Sequence, residues 1–264
     1  MTRAFAAVVV LLSLTVAALA ASDKQPAPPG ALPGAPPQYT RFSTAELMRG
    51  FLALSFGSDL HIGPTPRGIR RFEHPVRVAV IDNGSVDRVA AMRRVLDDYA
   101  RQVPRLRLSM VADPADADIE VRLLDERDFP GALEAAFGAK IATTFIARTN
   151  PQCMTSVKSS ADGSIQRAVT FIVVDRGEDV FRDCAYHELL HAFGLANHDA
   201  RNPWTTLNQS RRVGYLTVYD RALLTLLYDP RSRSGMTPAQ VRARLPGIIA
   251  TLGLAAPRLR KVGQ

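Results

Sequence analysis

Residues 184–199 read Cys184-Ala185-Tyr186-His187-Glu188-Leu189-Leu190-His191-Ala192-Phe193-Gly194-Leu195-Ala196-Asn197-His198-Asp199. Val180 to Phe193 has helical periodicity, with Tyr186, Leu189, Leu190 and Phe193 supplying an apolar side to seat it in a core. On that helix His187 and His191 stand one turn apart and point the same way, so both imidazoles can bind one zinc ion (Zn2+). Glu188, beside the first of them, is placed next to the metal and not on it. There it can take a proton from water the metal activates and pass it to a leaving amine. The spacing predicts a zinc-dependent hydrolase with His187 and His191 as ligands and Glu188 as general base.

Zinc needs a third protein ligand. Gly194 can adopt the left-handed conformation that ends the helix and swings the chain back toward the metal. The run from His187 to Gly194 resembles the metzincin class of zinc peptidases, whose pattern ends on a third histidine. In the metzincin spacing that ligand falls at Asn197, whereas the available histidine is His198, reachable by a one-residue loop extension. His198 ranks first, Asp199 is the alternative third ligand, and Asp220 on the next predicted helix ranks third. A glutamate ligand from a later helix is closed by count, because no Glu follows Glu188. Metzincins also carry a methionine turn beneath the metal. Met236 could serve, but it reads better as an apolar staple before a helix capped at Thr237.

Outward from this segment, strands and helices mix. Ser43 with Glu46 forms a capping box for a helix carrying Leu47, Phe51 and Leu54, stopped by Gly57. Val76–Asp82 reads as a strand and Ser85 to Gln102 as an amphipathic helix. Leu106–Val111, Ile119–Leu124, Ile141–Ala147 and Ala168–Val174 read as further strands, and Ala132–Phe137 as a short helix. Helices over Thr217–Leu227 and from Thr237 onward make the C-terminal part mainly helical. The expected fold is α+β, a mixed sheet packed by helices; the resemblance to zinc peptidases implies that this sheet is zincin-like. Ile165 to Val174 is the strand expected nearest the cleft, where an extended substrate would pair with its edge.

The chain has 264 residues, 47% of them hydrophobic and 22% charged, enough for a globular core and too polar for a multi-pass membrane protein. Its net charge of +8 comes from scattered arginines, with no basic stripe interleaved with aromatics, so no nucleic-acid partner is expected. Arg3, the apolar run Ala4–Leu19 and the small residues Ala18 and Ala20 mark residues 1–20 as a secretory signal peptide; an uncleaved membrane anchor is the alternative. Residues 21–38 are rich in Pro, Ala and Gly and read as a linker. Residues 39–264 form one domain, with no membrane span in the mature chain and a secreted or periplasmic location. The two cysteines, Cys153 and Cys184, are expected to pair as a disulfide tying the loop before the last strand to the active-site helix. A thiol enzyme using Cys184 and His187 is a weaker reading. His61 and His74 read as loop residues, and Trp204 as a loop anchor or a cover over the site.

A broader resemblance spans most of residues 43–250. Cys184, Glu188, Leu189, Gly194-Leu195, Asn197, Asp199, Leu216, Asp220, Leu223-Leu224, Leu227-Tyr228-Asp229-Pro230 and Gly235-Met236, with Phe51 to Ser58 and Arg77 to Val80, are similar to the bacterial exported family known as domain of unknown function 2927. The resemblance implies a zincin-like domain without an established substrate. The function expected is an exported metallopeptidase acting on a protein or peptide substrate. The alternative is an inactive zincin-like metal-binding module that recognises a cell-envelope partner.

Overall fold

The computed structural model describes residues 24–25, 31–32, 38–39, 41–57, 67–149 and 151–255. The leader 1–20, most of 21–38 and His61 lie outside them. Two short strands, β1 (Lys24–Gln25) and β2 (Gln38–Tyr39), pair antiparallel. Helix α1 (Thr44–Ser55) then leads into β3 (Val76–Asp82), α2 (Val89–Gln102), β4 (Leu108–Met110) and β5 (Ile119–Leu124). The hairpin α3 (Phe129–Phe137) and α4 (Ala139–Thr149) is followed by β6 (Cys153–Ser159) and β7 (Ile165–Val173). Helices α5 (Glu178–Ala192), α6 (Val218–Leu227) and α7 (Pro238–Leu252) complete the chain. The fold is α+β, built on a five-stranded mixed sheet in the order β4-β3-β5-β7-β6. The first four strands in that order are parallel, and β6 runs antiparallel at the edge.

Strand alternation divides the core between the two faces of the sheet. Ile119, Val121, Leu123, Ala168 and Ile172 join the main cluster with Leu47, Phe51, Met92, Leu96, Leu189, Leu190, Leu223 and Leu245, which come from α1, α2, α5, α6 and α7. Leu124, Phe171 and Val173 point the other way, onto Phe129 and Leu133 of α3 and Ala142 and Phe145 of α4. Arg71, which is buried, joins α6 to the segment after it. Its guanidinium donates to the carbonyls of Leu227 (2.7 Å), Asp229 (3.1 Å) and Ser232 (3.0 Å) and lies over the Tyr228 ring. The Leu227–Pro230 segment therefore serves as a structural hub.

Local signals set most boundaries. Ser43 and Thr237 each cap a helix in a reciprocal capping box, and Thr217 caps α6. Met236, just before Thr237, is buried with Val241, four residues into the helix, in one cluster. The staple reading fits that placement, and the Met236 sulfur accepts the Arg233 N–H.

Four expectations are corrected. Ile141–Ala147 is not a strand but the centre of α4: its β-branched residues mimic a strand, yet Ala142 and Phe145 are buried three apart, the spacing of a helix face. Helix α2 starts at Val89, not Ser85, because the Ser85 N–H and hydroxyl both bond Asp125 Oδ1 and hold that residue in a loop. Cys153 begins strand β6, not a loop. The strand Ile165–Val173 is interior, paired with β5 on one side and β6 on the other, so it offers no edge; the edge on that side of the sheet is β6. Part of the linker also packs on the domain: Leu32 is buried beside Gly214, and the Val218 N–H donates to Gln38 Oε1.

Candidate metal centre

Helix α5 positions the first two histidines by its pitch, and its C-terminus positions the rest. The Gly194 N–H bonds the His191 carbonyl and the Leu195 N–H bonds the Leu190 carbonyl, the paired reversal that ends a helix at a left-handed residue. Gly194 has φ +113, and a Cβ there would overlap the Arg70 carbonyl. The reversal brings the Leu195 carbonyl 2.6 Å from Nδ1 of His191. Asn197 then anchors the loop to α1, its N–H donating to the Leu54 carbonyl (3.0 Å) and its side-chain amide to Ala53 (3.1 Å). This is why the metzincin register fails here: position 197 grips the scaffold, and His198 turns inward.

The Nε2 atoms of His187, His191 and His198 lie 3.0 to 3.2 Å apart. Nitrogens held tetrahedrally on one zinc at about 2.0–2.1 Å stand about 3.3 Å apart, so the three rings fit such an ion. Nδ1 of His187 faces the Thr206 carbonyl at 3.3 Å and Nδ1 of His191 faces that of Leu195. These acceptors keep the proton on Nδ1 and leave Nε2 with its lone pair. Burial, then the neighbouring imidazoles, pushes His187 far below the usual histidine range and His198 down to about 3. Neutral rings are the form that binds metal. The three histidines are close enough to hold a metal ion.

Glu188 is buried where α5 packs on β6, and its main-chain carbonyl accepts the Thr155 hydroxyl at 3.1 Å. Thr155 Oγ1 also lies 2.9 Å from Thr170 Oγ1. Burial, opposed by the nearby Thr155 hydroxyl, pushes the Glu188 carboxyl up to about 8; a cation on the histidines would pull it back down. Among the described residues, Glu188 Oε2 has no hydrogen-bond partner. A buried orphan oxygen next to His187 has the chemistry expected where a polar guest belongs.

The other candidates are engaged elsewhere. Asp199 accepts the Arg201 N–H at 3.2 Å, and Asp220 is fully buried among Thr205 Oγ1 (2.5 Å), the Thr206 N–H (2.9 Å) and Thr217 Oγ1 (2.8 Å). Asp220 thus supports the site from behind, because Thr206 faces His187. Cys153 and Cys184 form the disulfide, which overturns the thiol reading. It ties β6 to α5 one turn before Glu188. Trp204 packs on Phe42 and Tyr219 as an anchor, and His74 is exposed beside Asp118. Two side chains at the site carry no signal in the local sequence: Thr155, in strand β6, and Gln209, whose side-chain amide lies 2.9 Å from His198 Nε2.

The family model described as Protein of unknown function (DUF2927) matches residues 44–247, the interval that holds the whole sheet, the three histidines and Glu188. The chain belongs to this family. The DUF2927 match ends inside α7 and takes in the Arg71 hub as well as the histidine cluster. No curated protein matches the chain in sequence. Among the described residues, no helix is long and apolar enough to cross a membrane.

Proposed function

We propose that this DUF2927 protein is an exported zinc-dependent metallopeptidase with His187, His191 and His198 as ligands and Glu188 as general base. One observation carries the reading: three imidazole nitrogens converge beside a buried carboxylate that has an unpartnered oxygen. Zinc, when bound, lowers the pKa of the water it holds to roughly 7 and polarises a carbonyl.

Glu188 accepts a proton at Oε2 from the attacking water and returns it to the leaving amine. Thr155, bonded to the Glu188 main-chain carbonyl and to Thr170, holds this turn of α5 against β6. The outer edge of β6 is the natural seat for substrate, since an extended peptide can add there through backbone hydrogen bonds. A peptide on that edge runs along the strand that carries Thr155, and so past the base. The disulfide supports a secreted or periplasmic location, because such bonds persist in oxidising compartments.

The test is elemental analysis of the purified protein and of Glu188→Gln, each also incubated with a denatured protein substrate. Both should carry about one zinc, and cleavage should fall at least about a hundredfold in the variant. Absence of metal from both after zinc is supplied overturns the reading, as does equal cleavage by the two.

A further inference from the structure

Three imidazoles leave a zinc ion one further position, and what faces it determines whether the site rests open or closed. Gln209 follows the short turn Thr206–Asn208, whose Thr206 carbonyl faces His187. The turn is held from both sides. Asp220 accepts from Thr205 and Thr206, and the Asn208 side-chain amide donates to the carbonyls of Ala200 (2.9 Å) and Asn202 (2.7 Å). At its end the chain takes φ +61 at Gln209, a left-handed conformation that residues with side chains adopt rarely. That turn delivers the Gln209 amide to 2.9 Å from His198 Nε2, about the spacing between the ring nitrogens themselves. An amide offers a donor and an acceptor related by a half-turn, so a group that donates to a bare ring nitrogen can present its oxygen to a cation.

We propose that Gln209 is the fourth ligand of the metal in the resting protein, bound through its side-chain carbonyl oxygen and displaced by the substrate carbonyl. This rests on the three-histidine metal reading. A neutral amide is a weaker zinc donor than imidazole, so the closed state is a reversible latch and not a sealed structural site.

The probe is cobalt(II), loaded into the parent, Gln209→Gly and Gln209→Glu, with visible spectra recorded before and during titration with acetohydroxamate. Glycine is at ease at φ +61, so the first variant keeps the turn. Its starting spectrum should differ from the parent's. It should bind hydroxamate about tenfold tighter, the gain expected if the amide holds the position about nine-tenths of the time. Gln209→Glu, with a charged oxygen, should resist hydroxamate at least as well as the parent. Matching spectra and affinities in the parent and Gln209→Gly overturn the proposal, leaving Gln209 a surface hydrogen bond. Weaker hydroxamate binding by Gln209→Gly also overturns it, because the amide would then be holding the incoming ligand. Cobalt bound by neither protein overturns it together with the metal reading, so the two failures are distinguishable.

Discussion

Asp220 accepts the backbone N–H of Thr206 at 2.9 Å, and the Thr206 carbonyl in turn stands 3.3 Å from Nδ1 of His187. A buried carboxylate that touches no metal thus orients a ring that can. Burial pushes the Asp220 carboxyl up, against hydrogen bonds from Thr205, Thr206 and Thr217. Asp220→Asn keeps the size but replaces one of the two acceptor oxygens by an amide N–H and removes the charge, so the bonds from Thr205, Thr206 and Thr217 can no longer all be kept as they are. Zinc affinity should fall about ten- to a hundredfold, as for other residues that orient a ligand histidine. Competition with a chromophoric chelator measures it; unchanged affinity would sink the positioning role.

The register of the third ligand makes a sharper contrast. His198→Ala should lower zinc affinity at least about a hundredfold, whereas Asp199→Asn should leave it within about threefold. The same chelator assay reads both variants. Strong loss in Asp199→Asn with little in His198→Ala would reverse the assignment.

Thr155→Val removes a hydroxyl at nearly constant volume and leaves the Glu188 main-chain carbonyl without that bond, loosening the seat of the base on β6. Zinc content should stay at about one per chain while kcat falls about tenfold, with KM little changed. An equal loss of zinc would mean that Thr155 supports the ligands and not the base.

The disulfide closes a loop across 31 positions. The chain-entropy relation assigns such a bridge about 3.7 kcal/mol. The double variant Cys153→Ser/Cys184→Ser should lose about that much in guanidinium unfolding, and reductant should act on the parent but not on the variant. Equal midpoints for the oxidised parent and the variant would contradict this.

Acid should weaken the hub next to α6 in a defined window. Burial alone would raise the Asp229 carboxyl, but hydrogen bonds from Arg231 and Arg105 outweigh it and hold the group down at about 2. A carboxyl depressed on folding contributes stability that is fully present above its unfolded value of about 4 and is lost as pH falls toward 2. Asp229→Asn should therefore cost about 2 kcal/mol at pH 7 and roughly half of that at pH 3. Urea unfolding at the two pH values checks it; a constant difference would remove the charge from the explanation.

Much was written locally in the chain. His187, Glu188 and His191 are legible because a helix converts a spacing of four into a shared face. The Gly194 reversal and the caps at Ser43, Thr217 and Thr237 are legible because each depends on a few adjacent residues. The strands Val76–Asp82 and Ile119–Leu124 are legible because their apolar runs are short and bounded by turn residues. What escaped local reading was every choice made by a distant partner. Ile141–Ala147 is helical because α3 and the far face of the sheet accept residues three apart. His198, not Asn197, faces inward because Asn197 is held by carbonyls of α1 more than 140 positions earlier. Thr155 and Gln209 reach the site through sheet order and a loop clamped by Asp220. Periodicity and capping are properties of a short stretch of backbone, whereas the group that completes a site is selected by packing between elements far apart in the chain.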